Sequence, residues 1–370
     1  MKKYASILSF LVILAILLVA CAQATPETII QTVEVPGEQV VVTKEVIVTQ
    51  EVVTTVEVEK PAELTKVVIG FSWNEKAHAL IQAWQDYMVA YSQEAAPKYG
   101  FEVEWVFNVA DSDPQQQASN IEDLINQGVN LIGARAHDAA AIGASVVAAQ
   151  EAGIPFITFD RESSTAAPSV HVGADSYTQA VTTAEKFKEI LEANGVTDAK
   201  CIELQGDLRD QNAVYRSQGW QEVEAKYGAW ETVLQVPTEW NPEKFLSGTA
   251  AALEAHPEAN CMFVASDFTF KSVEQALEAA GKLIPAGQEG HIWIAAQDLN
   301  PQGYTAMKNG YIDVATTYDA YFHSVEFVNA ALRLLAGEEL GVKKILVPGR
   351  VATPDILDSM PNMWALDYQE

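Results

Sequence analysis

The chain has 370 residues and carries 50 acidic against 23 basic side chains, a formal net charge of −27. Such a balance excludes nucleic acid and anionic lipid as electrostatic partners. Only 20% of the residues are charged, an ordinary fraction, so most surplus carboxylates serve simply to solvate the surface.

The first element is an export signal. Lys2 and Lys3 precede an apolar run from Ile7 to Ala20 that is too short to span a bilayer and ends in small residues. Leu18-Val19-Ala20-Cys21 resembles the lipobox of bacterial lipoproteins, which implies removal of residues 1–20 and lipidation of Cys21. A diacylglyceryl group would anchor an otherwise soluble, extracytoplasmic protein to the membrane. Residues 21–65 form a tether rich in Val, Glu and Thr with a six-residue period, in which Glu45, Glu51 and Glu57 recur in step, each followed by Val. An even period and dense β-branching suit extended chain and disfavour helix. Stretched out, this low-complexity stalk would reach on the order of 140 Å.

Residues 66–370 are large for one core and natural for two lobes. Short apolar runs alternate with longer amphipathic ones, the pattern of a parallel sheet flanked by helices. The predicted strands are 67–71, 103–107, 131–134, 156–159, 170–172, 201–204, 232–236, 262–265, 292–295 and 314–317. Between them, Ala180, Ala184, Phe187 and Leu191 share one helical face, as do Ile121, Leu124 and Ile125. Gly128, Gly153, Gly195, Gly281 and Gly310 read as helix stops. The expected fold is α/β, two doubly wound parallel-sheet lobes.

Ligands of open α/β sheets bind beyond the carboxyl ends of the strands. Those positions hold Trp73, Asn74 and Lys76, then Arg135 and His137, then Asp160 and Arg161, and Asp175. In the second half they hold Asp207 to Asn212, Trp240 and Asn241, Asp267 and Phe268, Asp298 and Asp319. Carboxylates, amides, an arginine fork and tryptophan faces together suit a neutral polyhydroxyl ligand. Asp113 and Asp175 read better as helix N-caps, and a cap is an alternative for Asp267. Trp84, Trp105, Trp220 and Trp293 read as packing residues.

The run Ala152-Gly153-Ile154-Pro155-Phe156-Ile157-Thr158-Phe159-Asp160-Arg161 resembles the fourth-strand signature of type I periplasmic sugar-binding proteins, the ribose- and xylose-binding family. Cys201 to Gly206, Asn212-Ala213 through Gly219, Ala255-His256-Pro257, Val264 to Asp267 and Gln297-Asp298 match the same family in the right order. The resemblance covers about Lys66 to Val351. It implies sugar binding by Asp160 and Arg161 from the first lobe and by Asn212, Asp298 and the residue at Asp319 from the second. Trp240 matches the stacking aromatic, and Trp73 to Lys76 the first-strand loop. Departures are Ser266 in place of Asn, Asp319 in place of Gln or Lys, and the opening Ser72-Trp73-Asn74-Glu75-Lys76. Asn212-Ala213, Trp240-Asn241-Pro242 and Gln297-Asp298 lean toward the xylose-type branch.

The family further implies a three-segment hinge, placed near Asp175, Asp319 and Pro348. The first lobe would then be residues 66–174 with 320–347, and the second 175–319 with 348–370. The expected protein is a monomeric solute-binding component of an ABC importer, closing on a pentose or hexose and presenting it to a membrane permease without a cofactor. A sensor docking on a membrane receptor is the alternative, and a sugar hydrolase a weaker one.

Enzyme readings fare poorly. Arg161 beside Asp160 would depress the carboxyl that a hydrolase needs raised. The first strand leads into Gly70-Phe71-Ser72-Trp73 without a dinucleotide-binding glycine motif, and the six histidines show no metal-ligand spacing. Cys201 and Cys261 begin strands that neighbour one another in a doubly wound order. They form either a disulfide, permitted by export, or two buried thiols.

Overall fold

The structure, a computed structural model, describes residues 64–368 apart from 77, 361 and 362. The expected signal, the stalk and Cys21 lie outside the described residues. The chain begins β1 (Thr65–Trp73), α1 (Ala79–Ala95), β2 (Phe101–Val109), α2 (Pro114–Gln127), β3 (Leu131–Ala134), α3 (Ile142–Glu151), β4 (Phe156–Phe159) and β5 (Val170–Ala174). It continues α4 (Ser176–Ala193), β6 (Lys200–Gln205), α5 (Gln211–Tyr227), β7 (Glu231–Pro237), α6 (Pro242–Ala255), β8 (Cys261–Val264), α7 (Phe270–Ala279), β9 (Trp293–Asp298), α8 (Pro301–Lys308) and β10 (Val314–Thr317). It ends α9 (Ala320–Leu335), β11 (Lys344–Val347), β12 (Val351–Ala352) and α10 (Trp364–Asp367).

Two six-stranded sheets result, ordered β11-β5-β4-β3-β1-β2 and β12-β10-β9-β8-β6-β7. Every pairing is parallel except β12 against β10. The chain passes from the first sheet to the second after β5, returns after β10, and leaves again between β11 and β12.

Local chemistry sets the boundaries. Asp113 opens α2 by accepting from the Gln115 and Gln116 amides at 2.8 and 3.2 Å, and Asp175 opens α4 through Thr178 N at 3.1 Å. Gly128 closes α2 at φ 68°, a left-handed conformation that favours glycine. The faces drawn from periodicity are buried: Ala180, Ala184, Phe187 and Leu191 face the second sheet, and Ile121 and Leu124 the first, while Ile125 is half-buried beside them. Short β11 and β12 add an edge strand to each sheet beyond the predicted ten.

Cys201 and Cys261 are paired in register on β6 and β8 and joined by a disulfide across 60 residues of chain. Trp220 stacks on Phe263 and Trp230 in the same core. The last residues cross the lobes. Ala352, Leu357 and Met363 pack into the second-lobe core, whereas Trp364 packs into the first, so the expectation of residues 348–370 wholly on the second lobe is corrected for that residue. Among the described residues no helix is long and apolar enough to cross a membrane.

Candidate functional site

The strand ends of both sheets converge on one cavity lined by side chains of both lobes. The first lobe contributes Trp84 from α1, Arg135 after β3, and Asp160 and Arg161 after β4. The second contributes Asp210 and Asn212 at the start of α5, Arg216 within it, Trp240 after β7, Ser266 and Phe268 after β8, and Asp298 and Asn300 around the end of β9. Tyr318 reaches in from the crossing that follows β10.

Guanidinium and carboxylate groups alternate through this site. Arg135 Nε donates to Asp160 Oδ2 at 2.5 Å, and its Nη1 donates to Asn74 Oδ1 at 2.7 Å. Arg216 forks onto Asp298, with Nη2 to Oδ1 at 2.7 Å and Nη1 to Oδ2 at 3.0 Å, and Nη1 also reaches Ala265 O. Ser266 Oγ donates to the same carboxylate at 2.5 Å. Arg161 Nε lies 2.9 Å from Asp210 Oδ2, close enough for an ion pair but without hydrogen-bond alignment. Three guanidinium and three carboxylate groups therefore balance, and a neutral guest loses no uncompensated charge to the site.

Asp160 is the most heavily supported group. Burial opposes its charge, but Arg135 and Arg161 beside it and the Tyr318 hydroxyl hold its carboxyl below the usual range. Asn212 Nδ2 donates across the lobes to Asp160 O at 2.9 Å. The backbones of Asp160 and Asp298 are left-handed, at φ 60° and 91°, and Trp240 is so at 53°. Aspartate is among the residues that tolerate this region best, and the turn carries each carboxylate off its strand into the gap. Aromatic rings close the sides: Trp84 lies 5.6 Å from the Arg135 guanidinium and Trp240 lies 5.8 Å from that of Arg216. Trp240 Nε1 donates to Asp210 Oδ2 at 3.0 Å.

Of the residues singled out from sequence, Asp160, Arg161, Asn212, Trp240 and Asp298 line one cavity. Asn74 stands just behind it on Arg135. Trp73 is instead fully buried in the first core, stacked on Trp84 at 6.3 Å, and Lys76 is exposed outside the lining. Asp267 turns away, because Ser266 and Phe268 flank it toward the cavity; its Oδ1 accepts from Asn300 N and Nδ2 at 2.8 and 2.9 Å. Burial and the nearby Asp298 charge push Asp267 well above the ordinary carboxylate range, and its Oδ2 has no partner. Asp319 caps α9 through Phe322 N at 3.2 Å, leaving Tyr318 as the cavity residue of that crossing.

Sequence reasoning also assigned Trp84 to packing alone, and it did not select Arg216 or Tyr318 as ligand groups. Arg216 was legible as a charge in a helix otherwise buried on that face; Tyr318 had no signal beyond following a strand. Among the described residues no cluster of His, Cys, Asp and Glu is arranged to hold a metal ion.

The periplasmic binding protein domain matches this sequence over residues 69–339. The chain belongs to the periplasmic binding protein family. Its members are solute-binding proteins without catalytic activity. This binding protein is 25% identical over 252 residues to the ribose import binding protein of Salmonella typhimurium, covering 68% of this chain and 80% of that one. It is 25% identical over 261 residues to a xylitol-binding protein of Mycolicibacterium smegmatis, covering 70% and 68%. A solved ABC transporter solute-binding protein of Bacillus halodurans with bound myo-inositol shares the fold, with a TM-score of 0.69, 23% identity, and coverage of 84% of this chain and all of that one.

Proposed function

We propose that this protein binds a monosaccharide between its lobes outside the cytoplasm and delivers it to the permease of an ABC importer. One observation carries the reading: groups from both sheets meet at a single cavity whose charges cancel and whose walls alternate hydrogen-bonding groups with tryptophan and phenylalanine faces. A sugar presents the matching surface, hydroxyls around its rim and C–H groups on its faces. Because the lining is divided between lobes, neither lobe alone completes the hydrogen bonds, and closure about the three crossings couples binding to shape. The relatives named for ribose and xylitol, and the structure holding myo-inositol, support a small polyol. Within that class, the Asn212-Ala213, Trp240-Asn241-Pro242 and Gln297-Asp298 patterns favour a pentose or hexose bound in the xylose-type manner.

Lipidation of Cys21 would hold the loaded protein beside its permease through the Val/Glu/Thr-rich tether. Replacing Cys21 with Ser is expected to move the protein from the membrane to the soluble fraction. The function itself is tested by a thermal-shift panel of D-xylose, D-ribose, L-arabinose, D-glucose and myo-inositol on the full chain, with the sugar assayed for turnover. A ligand at a hundredfold excess over Kd adds about 2.7 kcal/mol of stability. Stabilisation without turnover is the expected result; no response to any polyol, or consumption of the sugar, would overturn the reading.

A further inference from the structure

Trp364 stands outside the cavity, on a segment at the very end of the described chain, yet it is tied to the cavity wall. Its indole Nε1 donates to Tyr318 O at 2.7 Å. Tyr318 in turn lines the cavity, gives its hydroxyl to Asp160 of the first lobe, and donates its backbone N–H to Asp298 O of the second at 2.9 Å. Its ring lies 5.3 Å from the Arg216 guanidinium. One indole therefore fixes the backbone of a lining residue that holds the Asp160 carboxylate through its hydroxyl and the Asp298 backbone carbonyl through its N–H.

The residues around Trp364 are anchored on both sides. Met363 and Leu357 sit in the second-lobe core, and Lys308 of α8 binds both oxygens of Asp358 at 2.7 Å. Trp364 itself is buried in the first-lobe core, and Tyr368 donates to Asp86 Oδ2 of α1 at 3.2 Å. Movement of one lobe relative to the other must then either carry this segment along or break one of its attachments. A buried indole N–H that loses its acceptor is costly, so the attachment resists opening.

We propose that Trp364 is a positioning residue for ligand binding: it holds Tyr318, and through it Asp160, in the arrangement that the joined lobes require. This goes beyond the sugar reading, although the affinity arm of its test rests on that reading. Loss of the indole N–H shifts the lobe equilibrium toward the open form and lowers affinity by the corresponding fraction, without touching the ligand.

The experiment compares the full-length wild type with Trp364→Phe and with Tyr368→Phe, which removes only a surface hydroxyl and leaves folding safe. Hydrogen–deuterium exchange without sugar reports on residues 136–140 and 207–212, which meet across the cleft where Ala139 N approaches Arg209 O. Exchange there is expected to quicken severalfold in Trp364→Phe and less in Tyr368→Phe, with β8 unchanged as the fold control. Titration with D-ribose and myo-inositol is expected to show Kd raised about fivefold in Trp364→Phe, the equivalent of one neutral hydrogen bond. That rise should shrink when Tyr318→Phe is already present, because the hydroxyl that reaches Asp160 is then gone while the carbonyl that accepts from Trp364 remains. Exchange unchanged in both variants overturns the proposal. If neither probe binds wild type, the sugar reading suffers, while the exchange comparison still decides the role of Trp364.

Discussion

Two histidines give this protein an acid sensitivity whose size follows from their burial. His323, on α9, is 1% exposed, and both of its ring nitrogens lack partners. It packs 4.7 Å from Tyr318 and 6.1 Å from Trp84, between the cavity wall and the first core. His171 on β5 is buried as well, with Nδ1 3.0 Å from Thr158 Oγ1. Burial pushes each imidazole from 6.5 down to about 4. A depressed folded value means that the stability is fully present above the unfolded value of 6.5 and is lost as pH falls toward 4. A gap of about 2.5 pH units at 1.36 kcal/mol per unit amounts to about 3 kcal/mol for each ring. Urea unfolding of wild type and His323→Leu between pH 7 and 4 isolates one of them, because packing changes shift the variant equally at every pH. Wild type is expected to lose about 3 kcal/mol more than the variant across that window. Parallel profiles would refute the reasoning, since they would mean that His323 becomes charged without leaving its buried position.

Arg161→Ala, which removes a lining group facing Asp210, is expected to weaken sugar binding at least tenfold in calorimetric titration and to leave far-ultraviolet circular dichroism unchanged. Replacing Cys201 and Cys261 together by Ala opens a 60-residue loop and should cost about 4 kcal/mol in urea unfolding under the chain-entropy account. Asp267→Asn should be no less stable than wild type at pH 7, since the wild-type carboxyl is pushed upward by burial and its stabilising proton is lost as pH rises. In acid the order should reverse in favour of wild type, and a variant weaker than wild type at neutral pH would count against that assignment.

The β-strand runs and glycine stops were legible because apolar length and punctuation are local properties: the ten strands read from sequence all occur, with ends displaced by a few residues at most. β11 and β12 were not, being edge strands of four and two residues with little apolar burial. At the cavity the strand ends were legible but their parity was not. Trp73 ends β1 pointing into the core, and at β8 the lining falls to Ser266 and Phe268 around the buried Asp267. One position likewise separates Tyr318 from the capping Asp319. Alternation along a strand sets which neighbour faces the gap, and a bend at the final residue resets it. Trp84 shows a different limit: a tryptophan inside an amphipathic helix reads as packing, and this one both packs and forms a wall.

Asp160 meets Asn212 and Tyr318 directly, and Arg161 meets Asp210, so the groups of the cleft already satisfy much of one another's polarity. A guest is thus admitted by exchange. Each hydroxyl it brings competes with an incumbent that fits, and a molecule missing one is penalised twice, for the bond not made and for the one displaced. Anyone converting this scaffold into a biosensor would tune those incumbents first, because they set both the resting signal and the threshold at which a solute is noticed.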